Sequence, residues 1–170
     1  MNIDNQRLIK TKKKSVLDII VKSEETIIFV SGCFIALAMF GQVVLRYIFR
    51  TPLFGLEEIS VLVVSWFYFI GAAYSIHTGS YIKADVLPLI TKNPHIIRIS
   101  NIVSFILTLV ATLLLFYYTS KFAIWMDSAN VVTPTFLISQ NVSFSALVVG
   151  SLLMSLHFFL LLYKEIKRKI

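Results

Sequence analysis

Uncharged runs and short polar breaks alternate along the chain. Thr26–Leu45, Ile59–Ser80 and Ile99–Ser120 contain no Asp, Glu, Lys or Arg. Each is long enough for a helix crossing a hydrocarbon core, which takes about 20 apolar residues. A fourth uncharged run, Ser128–Tyr163, is too long for one crossing. Pro134, flanked by Thr133, Thr135, Ser139, Gln140 and Asn141, divides it. A proline in a helix interior loses a hydrogen bond and clashes with the preceding turn. The pattern therefore predicts a partly ordered segment over about 128–141 and a last crossing over 142–163. Asn93-Pro94 suits a helix start, where a missing N–H costs nothing. The expected fold is an all-α integral membrane protein with four transmembrane helices, at about 26–45, 59–80, 99–120 and 142–163. A basic segment, 1–25, precedes them and a basic tail, 164–170, follows.

Composition agrees. The chain has 170 residues, is 57% hydrophobic and has a mean hydropathy of +0.81, more apolar surface than a soluble domain of that size can hide. Its one cysteine, Cys33, lies inside an apolar run, so neither an internal disulfide nor a cysteine metal cluster is expected. The net charge of +7 is informative through its placement and does not indicate nucleic acid. Of the 16 Lys and Arg residues, 13 lie in the N-terminal segment, the second loop and the C-terminal tail; only Arg46, Arg50 and Lys121 lie on the other side. By the positive-inside rule both termini are cytoplasmic and the Arg46–Glu58 connection faces out. The basic start is not expected to be a cleavable signal, because the run after it is too long and no small-residue cleavage site follows. Ile9, Val16, Leu17 and Ile20 fall on one side of a helix among Lys12, Lys13, Lys14, Asp18 and Lys22. The segment reads either as an amphipathic helix on the membrane interface or as a basic tail that only fixes topology. In the second loop, Ile82, Val86, Leu89 and Ile90 alternate with Lys83, Asp85 and Pro88, which suits a stretch lying along the interface.

Three sets of residues are candidates for chemistry or contact. Arg46, Arg50, Glu57 and Glu58 bring both charge signs into one short hinge. Carboxylates favour a helix N-terminus by about 0.3–1 kcal/mol each, and arginines can snorkel to headgroups. Capping, anchoring and a local ion pair are one reading; contact with a partner is the other. Gly71, Ser75 and Gly79 repeat every four residues, as do Ser100, Ser104, Thr108 and Thr112, and these small or hydroxyl ridges suit helix–helix packing. Ser151 and Ser155 share the spacing. His77 and His157 fall at similar depth near the cytoplasmic face and offer an alternative function, axial ligation of a b-type haem in a membrane oxidoreductase subunit. No catalytic constellation accompanies them. No ionisable residue falls near mid-span, and no span is broken there by Gly and Pro. Ion-coupled carriers usually have mid-membrane charges or helices broken there, so the chain fits an accessory subunit better than an autonomous transporter.

Over about residues 25–165 the ordered features resemble the small membrane subunit of tripartite ATP-independent periplasmic (TRAP) transporters, the DctQ-like family. The likeness rests on Arg46-Tyr47, Thr51-Pro52, Glu57-Glu58 opening a span that continues Trp66…Gly71-Ala72-Ala73, then Tyr81-Ile82-Lys83-Ala84-Asp85, and Pro134 before the last span. Tyr81 stands where the family often has His, and the segment around Ser143 lacks the usual Pro/Gly pattern. The resemblance implies a non-catalytic subunit, without cofactor, of a sodium-coupled transporter for an organic acid such as a C4-dicarboxylate or a sialic acid. It implies residence in a bacterial inner membrane beside a large multi-span subunit that holds the substrate and sodium sites. A periplasmic substrate-binding protein would be a transient partner and membrane lipids permanent ones.

Overall fold

The apolar runs become four helices, and among the described residues there is no strand beyond one isolated bridge. A computed structural model describes residues 16–50, 55–81 and 94–167. Helix α1 spans Val16–Tyr47, α2 Leu56–Thr78, α3 Pro94–Ser128 and α4 Asn141–Lys167. All four are long and apolar enough to cross a membrane. At 1.5 Å per residue, α2 measures about 35 Å and α3 about 52 Å, against a hydrocarbon core of about 30 Å. Residues 1–15 of the basic N-terminal segment, the Thr51-Pro52 pair, the second-loop stretch from Ile82 and the last three residues lie outside the described residues.

The helices overrun the uncharged runs. Helix α1 is continuous from Val16, so Asp18, Lys22, Glu24 and Glu25 belong to the same rod as the first span. Helix α3 carries on through Lys121 and Asp127 to Ser128. Charged side chains at a helix end reach the interface, so they limit hydrophobic length without stopping the helix. The backbone itself sets the ends. Helix α2 stops at Gly79, whose φ of 74° lets its N–H reach the Ile76 carbonyl, while the Ser80 N–H closes on the Ser75 carbonyl at 3.0 Å. This is the glycine-terminated turn that satisfies orphan carbonyls.

The arrangement is a row rather than a closed bundle. Helices α2 and α4 pack together at the centre, α1 lies against α2, and α3 lies against α4. Helices α1 and α3 form the two edges and do not pack on each other. Their outer faces are apolar and open, with Phe29, Leu37 and Phe40 on α1 and Leu107, Tyr118 and Ile124 on α3 all more than 60% exposed. The centre is closed by Ile70 and Ala73 of α2 against Ala146 and Ser151 of α4, all at most 2% exposed. Toward the Lys-rich end Ile76, Phe105 and Phe158 join α2, α3 and α4, with Leu109 and Met154 packed around them.

Close approach of α2 and α4 occurs at Gly150, where an added Cβ would stand 2.6 Å from the Phe69 Cβ and 3.0 Å from its carbonyl oxygen. The spacing of Gly71, Ser75 and Gly79 pointed to a packing ridge there instead. Within this chain a Cβ at Gly71 or Gly79 would meet nothing within 4 Å, and the Ser75 hydroxyl donates to Ala72 of its own helix. Ser104 is exposed, and the Thr108 hydroxyl donates to the Ser104 carbonyl at 2.9 Å. Gly71 and Gly79 therefore mark no close helix approach within this chain, while Thr112, at the end of the hydroxyl series, is buried.

Candidate functional site

The polar side chains gather at the two ends of the row. At the end that carries the Arg46–Glu58 hinge, α1 closes with the Ile48 N–H on the Val44 carbonyl at 2.8 Å, and Arg50 turns the chain with φ 54°. Gly55 opens α2 with φ 92° and no side-chain cap. No other residue fits at Gly55, because a Cβ there would overlap the Phe136 ring. Glu57 and Glu58 then occupy the first turn, at the positive end of the helix dipole.

The two carboxylates have different partners. Glu57 Oε1 accepts from Gln42 Nε2 of α1 at 2.9 Å, joining two helices. Glu58 Oε1 accepts the Thr135 N–H at 2.7 Å, and Oε2 accepts the Phe136 N–H at 3.1 Å. This grips the connection between α3 and α4. That connection folds back on itself: Val132 pairs with Ser139, the Thr133 N–H donates to the Ile138 carbonyl at 2.8 Å, and the Gln140 N–H to the Val131 carbonyl at 3.0 Å. The Thr133 hydroxyl accepts the Ile138 N–H from inside the loop. The local ion pair of the capping reading, Arg46 or Arg50 with Glu57 or Glu58, is not seen among the described residues; Glu24 and His157 meet at the opposite end. Glu58 thus locks the loop onto α2, while Glu57 ties α2 to α1. Beside them lies a half-open groove of about 430 Å³, whose walls include Glu57, Val61, Leu62, Pro134, Gln140 and Phe144.

At the other end, Glu24 of α1 and His157 of α4 meet inside the protein, each 2% exposed. His157 Nε2 stands 3.0 Å from Glu24 Oε1 and 3.2 Å from Oε2. Since α1 and α4 do not otherwise pack, this pair is their direct link. His77 of α2 lies against it, ring centroids 5.4 Å apart and planes inclined by 51°. His77 and His157 do share a depth, as their sequence positions implied. Rings in mutual contact leave no slot for a macrocycle between them, and His157 Nε2 is committed to Glu24, so the haem arrangement does not fit. Glu24 was not singled out by the sequence because it sits among Lys22, Ser23 and Glu25 and looks like interface. A carboxylate at the mouth of a span, with one histidine in another span to meet it, is the only sequence signal. Among the described residues no group of three His, Cys, Asp or Glu could hold a metal ion.

Four helices able to span a membrane, polar at their ends, define a multi-pass membrane protein. The family model for tripartite ATP-independent periplasmic transporters, DctQ component, matches residues 35–168, and the chain belongs to that family. It is thus a component of a tripartite TRAP transport system. A comparison with curated proteins finds no match.

Proposed function

We propose that the chain is the scaffold subunit of a sodium-coupled TRAP transporter for an organic acid, with no substrate site of its own. It sits in the bacterial inner membrane with both termini cytoplasmic. The orientation rests on the lysine and arginine distribution, while sodium coupling and the acid class rest on the family. The observation that carries the scaffold reading is the row itself. A single layer of helices, closed at its centre by Ile70, Ala73, Ala146 and Ser151, encloses no path for a solute. It leaves the apolar outer faces of α1 and α3 for lipid and for a large transport subunit.

The hinge end, with Arg46, Arg50, Glu57 and Glu58, faces the periplasm and helps dock the binding protein. Support comes from the two arginines, which have no described ion pair, and from the groove beside Glu57. The test is reconstitution. The chain should co-purify with a much larger membrane protein, and proteoliposome uptake should need both. Full-rate uptake by the large subunit alone would end the scaffold reading. Reversing Arg46 and Arg50 to Glu should raise the binding-protein concentration needed for half-maximal uptake, with assembly intact. An unchanged requirement returns the arginines to anchoring alone.

A further inference from the structure

We infer that the small cavity at the Lys-rich end, between α1, α2 and α4, binds a phosphate group. Such a group is carried by an anionic phospholipid headgroup or by free inorganic phosphate. The cavity is lined by Leu17, His77, His157, Leu160, Leu161 and Lys164 and has a volume of about 70 Å³. A single water needs about 10–15 Å³ on this measure, so there is room for a tetrahedral oxyanion. Its polar wall consists only of groups that present N–H or ammonium donors, and its apolar wall is leucine. Basic pockets between spans at the cytoplasmic side suit lipid phosphates in this way.

The donors are unusual in being uncommitted. Lys167 sits over the Tyr163 ring at 4.7 Å, whereas Lys164 has no described hydrogen bond or ion pair. His77 makes only its ring contact with His157. His157 is 2% exposed, and Glu24 takes its Nε2, which fixes the ring. Its Nδ1 has no described partner. The fixed positive charge toward the cavity comes from Lys164, and the His77 ring adds an N–H donor beside it. Helix C-termini attract cations, and both Lys164 and His77 lie in last turns. That accounts for their presence but not for their opening onto one cavity beside a buried, oriented imidazole. The same helix ends oppose an anion, so binding requires both side chains.

The purified full chain should be examined by native mass spectrometry with phosphatidylglycerol or phosphatidylcholine of matched acyl chains. In parallel, the His157 ring resonances should be followed by NMR during titration with inorganic phosphate. His77 and Lys164 are exposed, so the His77→Gln/Lys164→Gln variant should fold as wild type. Lys121→Gln, at the other end, is the control. Retention of phosphatidylglycerol over phosphatidylcholine, reduced at least about tenfold in the double variant as expected for losing a charge-assisted contact, assigns the site to a lipid phosphate. Absence of lipid preference together with phosphate-induced shifts at His157, lost in the double variant, assigns it to free phosphate. Neither response, or the same response in wild type and double variant, overturns the proposal.

Discussion

Cutting Glu24 back to alanine should leave His157 buried with no partner for Nε2. Both side chains are 2% exposed, and the contacts of 3.0 and 3.2 Å engage both carboxylate oxygens. A neutral hydrogen bond between membrane helices contributes about 0.6–2 kcal/mol, whereas removing one member of a buried ion pair costs about 3–5 kcal/mol. Contact of Nε2 with both carboxylate oxygens favours the second case. Glu24→Ala and His157→Ala should each lose about 3–5 kcal/mol, and Glu24→Gln, which keeps a hydrogen bond, about 1–3 kcal/mol. Replacing both by leucine should fall within about 1 kcal/mol of wild type, because two apolar side chains avoid desolvating charge. Unfolding in mixed detergent and sodium dodecyl sulfate, followed by the fluorescence of Trp66 and Trp125, measures each variant. The alanine double-mutant cycle should show coupling of at least about 2 kcal/mol. Single losses under about 1 kcal/mol that simply add would refute the ion pair as the link between α1 and α4.

Three further changes probe the rest of the fold. Gly55→Ala meets a left-handed backbone and the Phe136 ring together, so it should cost at least about 1–3 kcal/mol and release the 131–140 loop, seen as faster amide exchange there. Glu58→Ala should expose the Thr135 and Phe136 amides to exchange and to protease while leaving the span intact; unchanged protection would mean the loop holds itself. Gly150→Ala should destabilise by about 1–3 kcal/mol through overpacking on Phe69, while Gly71→Ala should lie within about 0.5 kcal/mol of wild type for the isolated chain, both read from the same unfolding curves.

Hydropathy located the four spans because lipid leaves a helix no alternative way to satisfy its backbone. It was less informative about where helices end: α3 continues past Lys121 and Asp127, since interface charges do not break a helix. The neighbour order was not legible, because all four helices are apolar on every side and no stripe marks an inner face. Glycine spacing drew attention to Gly71 and Gly79, yet the tight contact falls at Gly150, which stands alone on its helix and gives no repeat to notice. The hinge was visible as a place but not as a mechanism. Two signs of charge close in sequence suggested pairing, whereas Glu58 bonds main-chain amides 77 and 78 residues away. Glu24 and His157 are separated by 133 residues, and no local pattern connects them.

The row has a consequence for how the protein is made. In sequence the helices run α1, α2, α3, α4, but in space α4 stands between α2 and α3. When α3 leaves the translocation machinery its neighbour does not yet exist. At about 5–20 residues per second, the stretch from Ser128 to Lys167 takes on the order of 2–8 s to synthesise. During that interval α3 is a lone rod in lipid and α2 has an unfilled side. Helix α4 must then slot between them, and it brings His157 to Glu24 as it does. Helix α4, made after the other three, is therefore the one that joins them, and a chain cut short before α4 would be three inserted helices without a common fold.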